Sequence, residues 1–157
     1  MSVATEAPGA VVHAVELAEP AVAYAARNLA GSGVHLHCGD IADALHELEG
    51  AVDVVVANPP YIPLQAFESV QAEARDFDPP NALWSGDDGL DAIRLVERCA
   101  ARLLHPGGVV GCEHADVQWQ AAPAVFAGTD AWADIRDRED LAGKPRFVTA
   151  RRTGEAA

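Results

Sequence analysis

Short apolar, β-branched runs alternate with longer amphipathic segments along this chain. The runs predict strands at residues 11–15, 34–38, 52–57, 109–113, 131–136 and 146–151. The segments between them predict helices at residues 20–30, 41–48, 88–104 and 117–127. Because strands alternate with helices, the pattern predicts an α/β fold with an open, mostly parallel sheet.

The run at residues 52–57 is nearly continuous in apolar residues instead of alternating. Such a run is typical of a strand that is buried on both faces of a parallel sheet. It leads directly into Asn58-Pro59-Pro60-Tyr61, and two adjacent prolines cannot continue a ladder of backbone hydrogen bonds, so the strand should end there. Residues 62–87 are irregular and predict a long loop that holds a short helix around residues 68–75.

Length and composition favour one soluble domain over residues 1–157. Of the 157 residues, 50% are hydrophobic and 22% are charged, which is the balance of a globular protein. The apolar stretches are far shorter than the roughly 20 residues that a membrane-spanning helix needs. The first residues show neither a basic segment nor a long apolar one, so no export signal is visible and a cytoplasmic location is expected.

The charge balance bears on the choice of partner. There are 24 acidic and 11 basic residues, a formal net charge of −13, so a nucleic-acid backbone would be repelled and direct binding to it is not expected. Arginines gather near the end of the chain, as a patch for an acidic partner or RNA, or as a solvated strand edge: Arg136, Arg138, Arg146, Arg151 and Arg152. Cys38, Cys99 and Cys112 lack metal-binding or redox spacing and are interpreted as reduced core thiols.

Three predicted strands end in polar residues, Glu16, Asp40 and Asn58. Ligands of open α/β sheets bind beyond the carboxyl ends of the strands, so these residues are expected at one rim. A carboxylate at Glu16 can accept both hydroxyls of a ribose, and one at Asp40 can accept the exocyclic amine of an adenine, while the backbone amide of Ile41 can donate to a ring nitrogen. Taken singly, either acid is also explained as a helix cap or a turn residue.

The tetrapeptide Asn58-Pro59-Pro60-Tyr61 is the most specific signal, because four specified residues stand at one strand end. It resembles the signature of methyltransferases that modify an amide-like or aniline-like nitrogen. The side-chain oxygen of Asn58 and the carbonyl of Pro59 can each accept a hydrogen bond from an NH2 group, which orients it and stabilises the charge that develops on nitrogen. Pro60 makes the acceptors rigid, and Tyr61 can lie against the flat face of the substrate. The alternative is a proline-rich strand exit with a core tyrosine.

Further segments narrow this resemblance to the release-factor glutamine N5-methyltransferase family. They lie in the family's order and spacing from Ala7 to Arg152: Asn-Pro-Pro-Tyr-Ile-Pro at 58–63, Asp-Pro-Pro-Asn-Ala-Leu at 78–83, Gly-Asp-Asp-Gly-Leu-Asp at 86–91, Leu-His-Pro-Gly-Gly at 104–108, Glu113-His114 with Gln118, and Asp-Leu-Ala-Gly-Lys-Pro-Arg at 140–146. DNA adenine methyltransferases share only the tetrapeptide.

The resemblance implies a Rossmann-like class I fold whose last strand is antiparallel, with S-adenosylmethionine as the cofactor. It implies methylation of the glutamine in the Gly-Gly-Gln tip of a peptide chain release factor, a step connected with translation termination. Asn58, Pro59, Pro60 and Tyr61 would be catalytic, and Glu16, Asp40, Ile41 and Asn58 would bind the cofactor. No metal is implied. A ribosomal-protein glutamine and a nucleic-acid adenine remain alternative acceptors.

One departure from the family lies at the beginning of the chain. Family members carry a helical substrate-binding domain, then a first strand that ends in a glycine-rich turn around the cofactor. Residues 1–8 match only the back of the helix that follows this turn. Three interpretations stay open: part of an active enzyme, an inactive remnant, and a noncatalytic module that pairs its open sheet edge with another chain, including by self-association.

Overall fold

Strands alternate with helices along most of the chain, as the hydrophobic pattern predicts. The computed structural model describes residues 2–69 and 79–154. The chain divides into two compact units, Met1–His46 and Glu47–Ala157. The single domain expected over residues 1–157 stays a prediction.

The first unit contains a two-stranded parallel sheet. Its elements are helix α1 (Ser2–Glu6), strand β1 (His13–Glu16), helix α2 (Glu19–Asn28) and strand β2 (His35–Cys38). The register runs from His13 opposite His35 to Glu16 opposite Cys38. Pro20 lies in the first turn of α2, where its missing N–H leaves no helical bond unmade. Strand, helix and parallel strand therefore follow each other as the sequence predicts.

The helix predicted at residues 41–48 is wrong. Asp40 follows β2, and its Oδ1 accepts a hydrogen bond from the backbone N–H of Ala42 at 2.9 Å, which stabilises a turn. Leu45 has a φ of 61°, a left-handed conformation that a right-handed helix cannot contain. Only a 3-10 turn forms, at His46–Leu48.

The second unit contains a four-stranded sheet with the order β3-β4-β6-β5. Strand β3 (Val52–Ala57) is parallel to β4 (Leu104–Glu113), while β6 (Pro145–Arg152) is antiparallel to both β4 and β5 (Trp132–Glu139). The antiparallel last strand is thus confirmed. The helices of this unit are α3 (Pro80–Leu83), α4 (Asp91–Leu103) and α5 (Ala121–Ala127), with 3-10 turns at Leu64–Ser69 and Asp116–Gln118. The helix expected around residues 68–75 lies largely outside the described residues.

The core of this unit lies where α4 and α5 pack against the sheet. Apolar residues on one stripe of α4 are buried, as the helical spacing predicts. Together with the buried side chains of the strands and of α5, the central members of this core are Ile93, Val96, Ala100, Val110, Cys112, Phe126 and Val148. Helix α4 thereby fixes the strands whose carboxyl ends carry the candidate site.

Two details of strand β3 and strand β4 differ from expectation. β3 is not buried on both faces: Val54 and Val56, which share one face of the strand, are 60% and 70% exposed. β4 begins at Leu104, immediately after α4, and includes the Pro-Gly-Gly segment that was expected to separate helix from strand. Opposite β3, the pairing jumps from Leu104 to Val109, so this segment forms an irregularity inside the strand.

The cysteine interpretation needs one correction. Cys99 and Cys112 are buried, but Cys38, at the end of β2, is exposed and is not a core thiol. Among residues 2–69 and 79–154, no helix combines the length and the apolar character that crossing a membrane requires.

Candidate functional site

The Asn-Pro-Pro-Tyr segment, residues 58–61, lies at the carboxyl end of β3. Ala57, the last residue of β3, pairs with Cys112 near the end of β4, so the segment leaves the sheet beside the end of a parallel neighbour. Asn58 is exposed, whereas Pro59, Pro60 and Tyr61 are half-buried. A polar amide is therefore presented to solvent from a segment whose following residues pack against protein.

The Tyr61 ring is held by Glu113, the last residue of β4. The Tyr61 hydroxyl donates a hydrogen bond to Oε1 of Glu113 at 3.4 Å. Burial, followed by the negative charge of Glu113, raises the pKa of Tyr61 above its ordinary value. The phenol is therefore neutral at physiological pH.

The backbone of Tyr61 is held by Gln118, a side chain that is only 6% exposed. Nε2 of Gln118 donates to the carbonyl of Tyr61 at 3.1 Å and to the carbonyl of Gly89 at 3.1 Å. Oε1 of the same side chain accepts the backbone N–H of Ala115 at 3.0 Å. Both N–H groups and the oxygen of this amide are thus engaged, which avoids the penalty of burying an unpaired polar atom.

A second set of bonds ties the residues after Tyr61 to the segment before α4. The N–H of Ile62 donates to the carbonyl of Leu83, and the carbonyl of Ile62 accepts the N–H of Ser85, both at 3.0 Å. The N–H of Leu64 donates to the carbonyl of Gly86 at 3.0 Å. The loop that the sequence predicts after residue 61 is therefore anchored at its start.

The turn after β4 has its own support in His114, which is fully buried. One ring nitrogen of His114 lies 2.9 Å from the carbonyl of Ala115, and the other lies 2.8 Å from Oδ1 of Asp137 on β5. The neighbouring Cys112 is also buried, and this burial raises the pKa of its thiol to about 12, with a further contribution from Glu113. Cys112 is thus a neutral core thiol.

In the first unit, Glu16 and Asp40 follow the ends of two paired strands. Glu16 is half-buried, its Oε1 accepts the N–H of Ala18 at 2.8 Å, and its carbonyl accepts the N–H of Gly39 at 3.0 Å. Asp40 is exposed, and Ile41 is half-buried beside it. The parallel register brings Glu16 and Asp40 to the same end of this sheet. That they share a rim with Asn58 stays a prediction.

Comparisons with known proteins identify the chain's relatives. It is 53% identical over 152 residues to a release factor glutamine methyltransferase of Streptomyces coelicolor, an alignment that covers 97% of this chain and 54% of that protein. It is 42% identical over 154 residues to a release factor glutamine methyltransferase of Mycolicibacterium smegmatis, again covering 97% of this chain and 54% of that protein. The chain belongs to the release factor glutamine methyltransferase family. It spans about half the length of these relatives.

Another relative has a different substrate in its name. The chain is 44% identical over 138 residues to a 4-amino-L-phenylalanine/4-methylamino-L-phenylalanine methyltransferase of Streptomyces pristinaespiralis, covering 88% of this chain and 47% of that protein. No family model matches the chain. The relatives of this chain therefore include a methyltransferase that is named for an aromatic amine and not for a glutamine.

Solved structures support the methyltransferase fold. A methyltransferase from Pyrococcus furiosus aligns with a TM-score of 0.60 at 19% identity, covering 92% of this chain and 64% of that one. A 16S rRNA methyltransferase from Thermus thermophilus, solved with AdoMet and guanosine, aligns with a TM-score of 0.57 at 19% identity, covering 98% of this chain and 32% of that one. At this identity the likeness establishes the fold, which is the α/β class that the sequence predicts.

In this family member, Glu113, Gln118 and Gly89 support the candidate site, yet the sequence pointed to no role for them. Glu113, Gln118 and Gly89 stood out only as members of the segments that carry the family resemblance. Their shared feature is a contact with Tyr61 from distant positions of the chain. Glu113 carries a local signal, because it is a polar residue at the end of a predicted strand, whereas Gln118 and Gly89 lie within predicted helices.

Proposed function

We propose that this protein transfers a methyl group from S-adenosylmethionine to the side-chain nitrogen of a glutamine in a peptide chain release factor. The observation that carries the proposal is the exposed Asn58 at the carboxyl end of β3, followed by a tyrosine whose ring and backbone are both anchored. The family membership supports the same reaction.

The residues at 58–61 suit an amide nitrogen. Such a nitrogen is a weak nucleophile because its lone pair is delocalised into the carbonyl group. The side-chain oxygen of Asn58 and the carbonyl of Pro59 would accept its two N–H groups, hold the lone pair in line with the incoming methyl group and stabilise positive charge on nitrogen. This arrangement needs no strong base, in agreement with a neutral Tyr61.

The first unit has a donor and acceptor set that fits the cofactor. One carboxylate oxygen of Glu16 accepts the backbone N–H of Ala18, and the second oxygen would accept ribose hydroxyls. In the same way, one oxygen of Asp40 accepts the N–H of Ala42, and the second oxygen would accept an adenine amine. When bound, S-adenosylmethionine supplies a methyl group on a positively charged sulfur. The acids would also complement that charge, which gives them a role in affinity rather than in the transfer step.

A second candidate acceptor is an aromatic amine, favoured by the relative named for 4-amino-L-phenylalanine. An aniline nitrogen is planar and delocalised like that of an amide, so the two acceptors at Asn58 and Pro59 would serve it equally well. The geometry at residues 58–61 is compatible with a glutamine amide and with an aromatic amine as the substrate. Several relatives are named for release factors, which favours glutamine.

The proposal is tested with the full-length protein, labelled S-adenosylmethionine and three acceptors in parallel: a release factor, the same factor with its Gly-Gly-Gln glutamine replaced by alanine, and 4-amino-L-phenylalanine. We expect label only in the first. Asn58→Ala should lower kcat/KM by about 100-fold or more, since it removes one of two oriented acceptors from the transition state. If only 4-amino-L-phenylalanine became labelled, the substrate would be an arylamine and not a glutamine. If none of the three acceptors became labelled, both candidate substrates would be refuted.

Three further expectations join this proposal. The cytoplasm stays the predicted location. Undetectable binding to single-stranded DNA at low salt would agree with the net charge of −13 and would remove the adenine alternative. A concentration-dependent mass in sedimentation would instead favour self-association through an open sheet edge.

A further inference from the structure

Gln118 joins three separate segments of the second unit. It lies in the 3-10 turn that follows β4 (Asp116–Gln118), and it bonds to Tyr61 in the loop after β3 and to Gly89 before α4. Its oxygen is fixed by Ala115, so the orientation of the amide is set from its own turn. The two donors therefore point in directions that the protein predetermines.

The contact with Gly89 leaves no room for adjustment. A Cβ atom at Gly89 would lie 2.5 Å from the carbonyl oxygen of Tyr61 and 2.9 Å from Nε2 of Gln118. Both distances are below any normal packing contact, and Gly89 has a φ of +75°, which favours glycine. The Tyr61 carbonyl, the Gln118 amide and the Gly89 backbone are thus packed at one point, which we call the Tyr61 anchor.

The Tyr61 anchor lies three residues beyond Asn58. At the other end of the segment, Ala57 is paired with Cys112 of β4. Between these two fixed points the chain contains Pro59 and Pro60, whose φ angles the rings restrict. A short segment that is fixed at both ends and stiff in between has little freedom to move the backbone of Asn58 or the carbonyl of Pro59.

We propose that Gln118 is a positioning residue for the Asn-Pro-Pro-Tyr segment: through the Tyr61 anchor it sets where the Asn58 oxygen and the Pro59 carbonyl stand. This inference rests on the function proposed for residues 58–61. Gln118 contacts no reacting atom. Loss of the Gln118 amide would displace the Asn58 oxygen and the Pro59 carbonyl, and a displacement of about 1 Å can lower a rate about 100-fold.

The test uses the full-length protein with two variants and one control. Gln118→Glu keeps the size of the side chain and removes both N–H donors, and Gln118→Met removes them without introducing a buried charge. The control is Gln120→Glu, the same chemical change two residues later on an exposed side chain. For both Gln118 variants we expect kcat to fall about 10- to 100-fold, with KM for the release factor and affinity for S-adenosylhomocysteine within about twofold of the unsubstituted protein. Gln120→Glu should match the unsubstituted protein.

A second readout does not depend on activity. The N–H groups of Ile62 and Leu64 are bonded just beyond the Tyr61 anchor, so their hydrogen exchange should become about 10-fold faster or more in Gln118→Met and stay unchanged in Gln120→Glu. If the unsubstituted protein methylates no acceptor, the proposed function fails. The hydrogen exchange of Ile62 and Leu64 would then still test whether Gln118 holds the Tyr61 anchor in place. A kcat within about twofold, unchanged exchange, or loss of cooperative unfolding in Gln118→Met would each overturn the positioning role.

Discussion

Replacing Gly89 by alanine adds one methyl group at the point where Tyr61 and Gln118 meet. Two costs follow from the geometry. An alanine at a φ of +75° costs about 1–2 kcal/mol relative to glycine. Its Cβ would also meet the Tyr61 carbonyl at 2.5 Å, so the backbone or the Gln118 side chain must shift, and such overpacking costs about 1–3 kcal/mol. We expect a total destabilisation of about 2–5 kcal/mol.

Gly143 provides a matched control because it separates the two costs. It also has a φ of +75°, but its nearest neighbour would be Oε2 of Glu139 at 4.0 Å, so an added Cβ meets no obstacle. Gly143→Ala should therefore show only the backbone cost of about 1–2 kcal/mol. The difference between the two variants, about 1–3 kcal/mol, measures the packing at the Tyr61 anchor.

The assay is equilibrium unfolding in urea, followed by circular dichroism, with thermal unfolding as a second measure. For a chain of this length, each kcal/mol lowers Tm by about 2–4 °C, so Gly89→Ala should melt clearly below Gly143→Ala. Equal free energies of unfolding for the two variants would refute the reasoning, because the close approach of Gly89 to Tyr61 would then have no energetic consequence.

The other predictions concern the cysteines and the core. Iodoacetamide should modify Cys38 in the native protein and leave Cys112 intact until unfolding, because Cys112 is buried and its pKa is raised to about 12; mass spectrometry of digested protein locates the label. Trp132→Phe should cost about 2–4 kcal/mol, because it removes the indole N–H that donates to Oε1 of buried Glu97 at 2.7 Å. Trp119→Phe, at a side chain that is 50% exposed, should change urea unfolding by less than about 0.5 kcal/mol.

The elements that the sequence predicted well are those whose signal is local. Apolar runs and alternating segments located all six strands of the described structure, although their bounds moved by a few residues. The helix expected at residues 41–48 failed because the Asp40 side chain offered Ala42 a competing turn, and because Leu45 adopts a left-handed conformation that no propensity indicates. Local backbone conformation and a local side-chain hydrogen bond therefore replaced the helix in that segment.

Burial was harder to predict than strand formation. A nearly continuous apolar run predicted a strand that is buried on both faces, yet Val54 and Val56 are mostly exposed in β3. The apolar pattern shows that the side chains of a strand are suited to burial, whereas their actual exposure depends on which other elements pack against the strand. The same distinction applies to Cys38, whose position at the end of β2 leaves its thiol accessible.

The candidate site shows the limit of local information most clearly. Asn58 and Tyr61 were identifiable because their chemistry is written in four consecutive residues, but Gln118 reaches Tyr61 across 57 positions of the chain. Such a support is visible only once β3 and β4 are in register. It follows that a loss of activity at Gln118 or Gly89 would resemble a loss at Asn58 in a rate measurement, although neither residue meets the reacting atoms. Asn58→Ala should lower kcat without loosening the bonds of Ile62 and Leu64, whereas changes at the anchor should do both, so hydrogen exchange separates the group that accepts the substrate from the groups that hold it in place.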